Sequence, residues 1–323
     1  MSTFMSARNA GTRPSASARE VLRRHGRTFF AASHLLGPVH AERAAVLYAF
    51  CRYVDDLADG AGDPESARAR LSAVARTLET GVSDDPHLAA LLALQADTSM
   101  PIEPALALIA GLASDLTPVR MPDEDALIRY AWQVAGTVGL MMCRVLDVDD
   151  PRAEPFAIDL GIAMQLTNIA RDVGEDARMN RRYLPASWVG EIEPAAILLP
   201  SPSLEATLRE GTRRLLILAE RYYASGEEGM GFLPPRARLG ILTAARMYRA
   251  IGARIAASGY RSWDRRAVLG PLAKIHRAAG AVLAFVTERR LHRRDATHDA
   301  RLQEALRGCV TGLAARRRAG NSA

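Results

Sequence analysis

Two segments constrain the fold more than any other part of the chain: 48–59 (YAFCRYVDDLAD) and 165–176 (QLTNIARDVGED), each laying a polar stripe along an otherwise apolar helical stretch. Tyr48, Arg52, Asp55 and Asp59 step by four, three and four, and Gln165, Asn168, Asp172 and Asp176 by three, four and four, so each set shares one helix face. The residues around them (Val46, Leu47, Phe50, Val54 and Leu57; Ile162, Met164, Leu166 and Ile169) are apolar. Such helices are expected to be buried or to line a cleft. Carboxylates about 6 Å apart repel by roughly 3 kcal/mol at an effective dielectric near 20, so stacked pairs facing an interior need a compensating cation. An isolated exposed DxxxD would cost only a few tenths of a kcal/mol; two copies, each extended by polar residues on the same face, favour a joint role.

Oxygen-only ligands from two facing helices suit Mg²⁺, or Mn²⁺ in its place, which binds through one or two carboxylates and completes its shell with water and phosphate oxygens. Asp55, Asp59, Asp172 and Asp176 are therefore the candidate metal ligands. Arg52, Arg171, Arg178, Arg181 and Arg182 flank the stripes, and forked guanidinium groups suit diphosphate oxygens. Zinc chemistry is disfavoured because the seven histidines form no HxxxH or HExxH pair, and no GxSxG nucleophile elbow occurs. Cys51, Cys143 and Cys309 are far apart and in no CxxC pair, which argues against a disulfide framework.

Elsewhere helical periodicity dominates, as in Leu204, Leu208, Leu215, Leu218 and Tyr222. Gly, Pro and Asp punctuate it in GAGDP at 60–64, VSDDP at 82–86, MPIEP at 100–104, DVDDP at 147–151, PSPS at 200–203 and GFLPP at 231–235. We expect an all-α fold of about ten helices around a central cavity. Its parts are a disordered N-terminus at 1–16, one all-α domain at 17–291 and a basic C-terminal helix and tail at 292–323. The net charge of +6 is matched by residues 289–323, where nine arginines face Asp295, Asp299 and Glu304. That tail, ending in Arg316, Arg317 and Arg318, could favour an anionic membrane surface. Nucleic-acid binding is not expected, since the basic residues are not interleaved with aromatics. With no apolar run near the roughly 18 residues of a membrane span and no secretory-type leader, the expectation is a cytoplasmic protein, peripherally membrane-associated at most.

The segments YAFCRYVDDLADG and QLTNIARDVGEDARMNRRYLP resemble the two aspartate-rich signatures of the squalene and phytoene synthase family. HGRTFFAASHLL at 25–36, YAWQVAGTVGLMM at 130–142 and LPPRARLGILTAARMYRAIGARI at 233–255 extend the resemblance over about residues 18–290. It implies an all-α enzyme that joins two prenyl diphosphates head to head with Mg²⁺, through a cyclopropylcarbinyl diphosphate. It also implies metal and diphosphate binding at Asp55, Asp59, Asp172 and Asp176, with Gln165 and Asn168 extending the second wall. Arg52, Arg171 and Arg181 would meet phosphate oxygens. His25, Thr28 and Phe29 match a segment that contacts diphosphate and the start of the chain, and Tyr48, Tyr130, Tyr183 and Tyr248 match cavity tyrosines, Tyr130 with a role in proton removal. The stretch 134–142, small and apolar, fits a dry channel wall.

The second motif and the 233–255 segment most resemble bacterial phytoene synthases, which condense two C20 geranylgeranyl diphosphates and do not use NADPH. Two C15 farnesyl diphosphates, giving squalene or dehydrosqualene, are the alternative, and Ala32, Met142, Leu160 and Met164 are candidates for setting the length. An elongase or terpene cyclase fits less well, because Asp172-Val173-Gly174-Glu175-Asp176 is not DDxxD. A non-catalytic assembly factor would not need the intact acidic pairs. Oligomeric state is not readable from the sequence.

Overall fold

The computed structural model describes residues 16–60 and 62–309, and its described residues form fourteen α-helices and no strand. In chain order these are α1 (Ala16–His25), α2 (Arg27–Ser33), α3 (Pro38–Asp59), α4 (Pro64–Thr80), α5 (Pro86–Thr98), α6 (Glu103–Ser114) and α7 (Glu124–Ala131). After a π-helical turn, Trp132–Gly136, come α8 (Thr137–Val145), α9 (Glu154–Arg178), α10 (Ala186–Val189), α11 (Pro194–Leu198), α12 (Pro202–Glu228), α13 (Pro235–Ala257) and α14 (Pro271–Thr287).

The Pro-containing punctuation marks where helices begin. Pro64, Pro86, Pro202 and Pro235 occupy the first helical position, where a missing N–H costs nothing. Asp63 and Asp85, each just before a proline, cap their helices by accepting from Glu65 and Ser66 N–H and from His87 and Leu88 N–H. The expected ten helices are exceeded because Gly26 separates α1 from α2, because the π-helical turn Trp132–Gly136 divides α7 from α8 and because 186–198 holds two helices of about one turn.

Two apolar clusters fill the interior, one built largely on α3–α6 and α8, the other on α7, α9, α12 and α13. α9 runs between them and approaches the α7–α8 run at backbone distance. A Cβ on Gly139 would lie 2.1 Å from the Ala157 carbonyl oxygen, and one on Gly161 2.3 Å from that of Ala135. Only glycine allows this contact.

The expected C-terminal helix at 292–323 is corrected over its described part: 293–308 is irregular apart from a 3₁₀ segment, Ala300–Leu306. Its polar anchor is Asp159, fully buried on α9, which accepts from Ser225 Oγ at 2.5 Å and Gln303 Nε2 at 2.7 Å and lies 2.8 Å from His298 Nε2. A continuous helix could not supply both His298 and Gln303 to one carboxylate while burying Leu291 and Leu306. Apart from Ala16, the N-terminal segment 1–16 lies outside the described residues, as do Arg316, Arg317 and Arg318. Among the described residues no helix is long and apolar enough to cross a membrane.

Candidate active site

Between the two apolar clusters lies a cavity of about 330 Å³, walled by α2, α3, α8, α9 and α13. Its lining is almost wholly apolar, and includes Ala32, Met142, Leu160 and Met164. The polar side chains on its lining include Tyr48 on α3, Gln165 and Asn168 on α9 and Tyr248 on α13, with Ser33 and Cys51. Phe29 is packed between two of these tyrosines, its ring centroid 6.2 Å from that of Tyr48 and 5.1 Å from that of Tyr248. Burial pushes the Tyr48 hydroxyl up to about 12, so it stays protonated and can only offer a neutral hydrogen bond at neutral pH.

One turn beyond Tyr48 on α3, Arg52 donates from Nη1 to Asp55 at 3.0 Å and from Nη2 to Asp56, while its buried Nε has no partner. Burial, reinforced by Asp59 one turn on, pushes Asp55 up to about 6 against the pull of Arg52. On α9, Asn168 donates to Gln165 at 3.2 Å and leaves its buried Oδ1 without a partner. Arg171 forks onto Asp172 at 2.8 and 2.5 Å, and Arg266, from the loop between α13 and α14, meets the same carboxylate at 2.9 Å. Burial raises the Tyr248 hydroxyl, and Arg171 opposes that rise. Asp176 is pushed up to about 8, chiefly by burial and then by Asp172, with Arg181 opposing.

The two walls meet through Arg181. Its backbone N–H donates to the Asp176 carbonyl at 2.9 Å, and its guanidinium reaches Asp59 on α3 at 3.4 Å. Between the walls sits Asp115, just past the end of α6, which accepts the Tyr130 hydroxyl at 2.7 Å and the Tyr183 hydroxyl at 2.8 Å. The tyrosine rings stack at 4.8 Å. Burial raises the Asp115 carboxyl, and its charge acts on Asp55 and Asp176 alike. Together with Asp56 and Glu175, seven carboxylates here face four guanidinium groups. The raised values of Asp55, Asp115 and Asp176 show that this crowding is relieved by protons, which an added cation would displace.

Of the residues named from sequence, Phe29, Tyr48, Gln165, Asn168 and Tyr248 line the cavity, and Arg52, Asp55, Asp59, Arg171, Asp172, Asp176 and Arg181 form the polar walls beyond it. Tyr130 and Tyr183 stand behind those walls on Asp115 rather than on the cavity lining. His25 is exposed at the end of α1, and neither it nor Thr28 lines the cavity. Arg182 is corrected: it is 1% exposed and donates to the Met121 and Leu184 carbonyls and to Glu191, so its fork closes the loop before α10. Arg178 points to solvent. Asp115 and Arg266 escaped the sequence reading. For Asp115 one signal existed, an acidic residue at the negative end of an apolar helix, where the dipole disfavours it; for Arg266 there was none.

Residues 22–273 match the family model described as squalene/phytoene synthase. The phytoene synthase of Rhodobacter capsulatus is 39% identical over 255 residues, covering 77% of this chain and 75% of that protein. The phytoene synthase of Pseudescherichia vulneris is 36% identical over 262 residues, covering 77% and 84%. A solved dehydrosqualene synthase superposes with a TM-score of 0.74 at 25% identity, covering 84% of this chain and 96% of that one. With its acidic walls, its apolar cavity and these likenesses, the chain belongs to the squalene/phytoene synthase family.

Proposed function

We propose that this chain is a phytoene synthase, joining two C20 prenyl diphosphates head to head and releasing diphosphate. The observation that carries the reading is that an apolar cavity runs into two acidic walls, since Tyr48 on α3 and Gln165 and Asn168 on α9 line it and Arg52, Asp55, Arg171 and Asp172 follow within about two turns on the same helices. A prenyl diphosphate has the same division, a hydrocarbon chain ending in a densely charged head. The phytoene synthases above, alike over three quarters of the chain, support the C20 substrate over the C15 one.

The walls fit divalent metal in a particular way. Among the described residues no three His, Cys, Asp or Glu side chains form a ready-made metal site. A cation at Asp55 and Asp59, or at Asp172 and Asp176, would thus take one or two carboxylates and complete its shell with water and diphosphate oxygens, the habit of Mg²⁺. When bound, it would supply charge neutralisation for the departing diphosphate. Arg52, Arg171, Arg181 and Arg266 hold the carboxylates of both walls and can exchange them for phosphate oxygens. The unpartnered Asn168 Oδ1 and Arg52 Nε are an acceptor and a donor left for the ligand. Aliphatic and small side chains along the cavity exclude water and offer no nucleophile to an allylic cation.

The test is direct. Purified protein is incubated with C20 or C15 prenyl diphosphate and Mg²⁺, with and without NADPH, and the extracted hydrocarbons are weighed by mass spectrometry. A C40 product from the C20 substrate, independent of NADPH and lost on chelation, is expected. Turnover of the C15 substrate alone would overturn the C20 assignment.

A further inference from the structure

α14 turns its apolar side away from the protein. Ala281 and Ala284 are its buried residues, whereas Leu272, Ile275, Leu283 and Val286 are 82, 66, 64 and 76% exposed and share the opposite face. Of the eleven exposed large apolar side chains among the described residues, six fall between 268 and 286. A soluble surface scatters such residues; this one gathers them on one helix.

The charge around that face has one sign. Residues 265–294 hold eight Arg and Lys against a single acidic residue, Glu288. Arg265, Lys274, Arg277 and Arg289 make no ion pair among the described residues. Lys274 and Arg277 lie on the side of α14 turned toward the protein, while Arg265 and Arg289 stand beyond its two ends; an apolar stripe without an acidic residue, set in a cationic segment, is complementary to a surface that is apolar inside and anionic at its rim. The preceding loop joins this face to the acidic walls, for Arg266 binds Asp172 at 2.9 Å and lies two residues before Val268, itself 63% exposed.

We propose that α14 lies flat on an anionic lipid surface with its apolar face among the acyl chains. With 17 residues it rests on the bilayer rather than spanning it. The contact would place the α9 wall close to the lipid phase into which a water-insoluble hydrocarbon must pass; that benefit rests on the proposed reaction, whereas the binding itself does not.

Flotation of the full chain with vesicles tests this. The protein is expected to float with phosphatidylglycerol–phosphatidylcholine vesicles and to stay behind with pure phosphatidylcholine. Leu272→Ser combined with Ile275→Ser, Leu283→Ser and Val286→Ser should lower vesicle partitioning at least about tenfold with only a small change in melting temperature, because these side chains are 64–82% exposed. Arg265→Gln or Arg289→Gln should each lower it by up to about fivefold. Equal flotation of the serine variant, loss of flotation only when Arg316, Arg317 and Arg318 are neutralised, or a dimer that the serine changes dissociate in a protein that never floats, would each overturn the proposal. Activity on detergent-dispersed substrate should match between wild type and the serine variant. Absence of turnover in both would count against the proposed reaction and leave the flotation result standing.

Discussion

The guanidinium of Arg181, in the turn that follows α9, lies 3.4 Å from the carboxylate of Asp59 at the end of α3, so one side chain ties the two acidic helices together. It is also the cation that opposes the raised affinity of Asp115 and Asp176 for protons. Arg181→Met keeps the stem and removes the charge. Charge-assisted hydrogen bonds contribute about 1.5–3 kcal/mol, so the KM for prenyl diphosphate is expected to rise roughly tenfold to a hundredfold. Steady-state kinetics at saturating Mg²⁺ check this, and an unchanged KM would remove Arg181 from diphosphate binding.

Neighbouring aspartates on α3 should differ. Asp55 faces Asp59 and is 40% exposed, whereas Asp56 is rotated about 100° away and 55% exposed, so the difference rests on direction more than on burial. Asp55→Asn and Asp172→Asn preserve size and remove a ligand charge, and each is expected to lower turnover by a hundredfold or more, roughly the loss seen when one electrostatic group is removed from a reacting centre. Asp56→Ala leaves Arg52 paired with Asp55 and should cost far less. Product assays beside circular dichroism, which should report native helix content in all three, separate chemistry from folding. Equal loss at Asp56 would show that the wrong face had been assigned to the interior.

The helical fold was legible because its signals are local: proline and aspartate at helix starts, and apolar residues at helical spacing. The faces of Asp55, Asp59, Asp172 and Asp176 were legible for the same reason, since a period of 3.6 residues fixes which side chains share a side. What meets what across the cavity was not. Asp115 reaches Tyr130 and Tyr183 over 15 and 68 residues of chain, and Arg266 reaches Asp172 over 94, and no spacing rule encodes such contacts. Arg182 shows the converse hazard: an arginine beside an acidic motif looks like a phosphate ligand until its fork is found on backbone carbonyls. Residues 293–308 mislead likewise, because scattered arginines suit an exposed helix as well as a strap anchored on the buried Asp159.

Gly174, between Asp172 and Asp176, sets how close the Arg266 loop can come. A Cβ there would lie 2.2 Å from the Trp263 carbonyl oxygen and 2.9 Å from its carbon, and backbone cannot swing aside as a side-chain tip can. Gly174→Ala is therefore expected to push the loop outward, destabilise the fold by about 1–3 kcal/mol and weaken the Arg266–Asp172 pair. Gly280, inside α14, is the control, since a Cβ there would meet nothing within 4 Å. There alanine should stabilise by up to about 1 kcal/mol through helix propensity alone. Urea denaturation of the two variants checks both signs, and a neutral Gly174→Ala would mean that the loop is not held at that distance.

The raised carboxylates give a pH dependence with a definite sign. Asp176, pushed up to about 8, and Asp55, pushed up to about 6, hold protons in the folded protein that the unfolded chain releases near its ordinary value of 3.8. Where the folded state binds more protons, stability falls as pH rises. Their contribution is thus fully present below about pH 3.8 and is lost progressively up to about 8, and Asp176 supplies the upper part of that window. Metal-stripped wild type should accordingly melt at a temperature that declines more steeply between pH 6 and 8 than that of Asp176→Asn, which carries no titrating group at this position. On the proposed reading Mg²⁺ together with diphosphate would bind the ionised form, so it should stabilise wild type more at the top of the window than at the bottom and should stabilise Asp176→Asn less than wild type at every pH. Differential scanning fluorimetry over this range, with and without Mg²⁺ and diphosphate, measures both slopes. Parallel slopes for wild type and Asp176→Asn would show that the carboxyl is already ionised at neutral pH, and with it that the cluster of Asp172, Asp176 and Asp115 is less crowded than the structure has it.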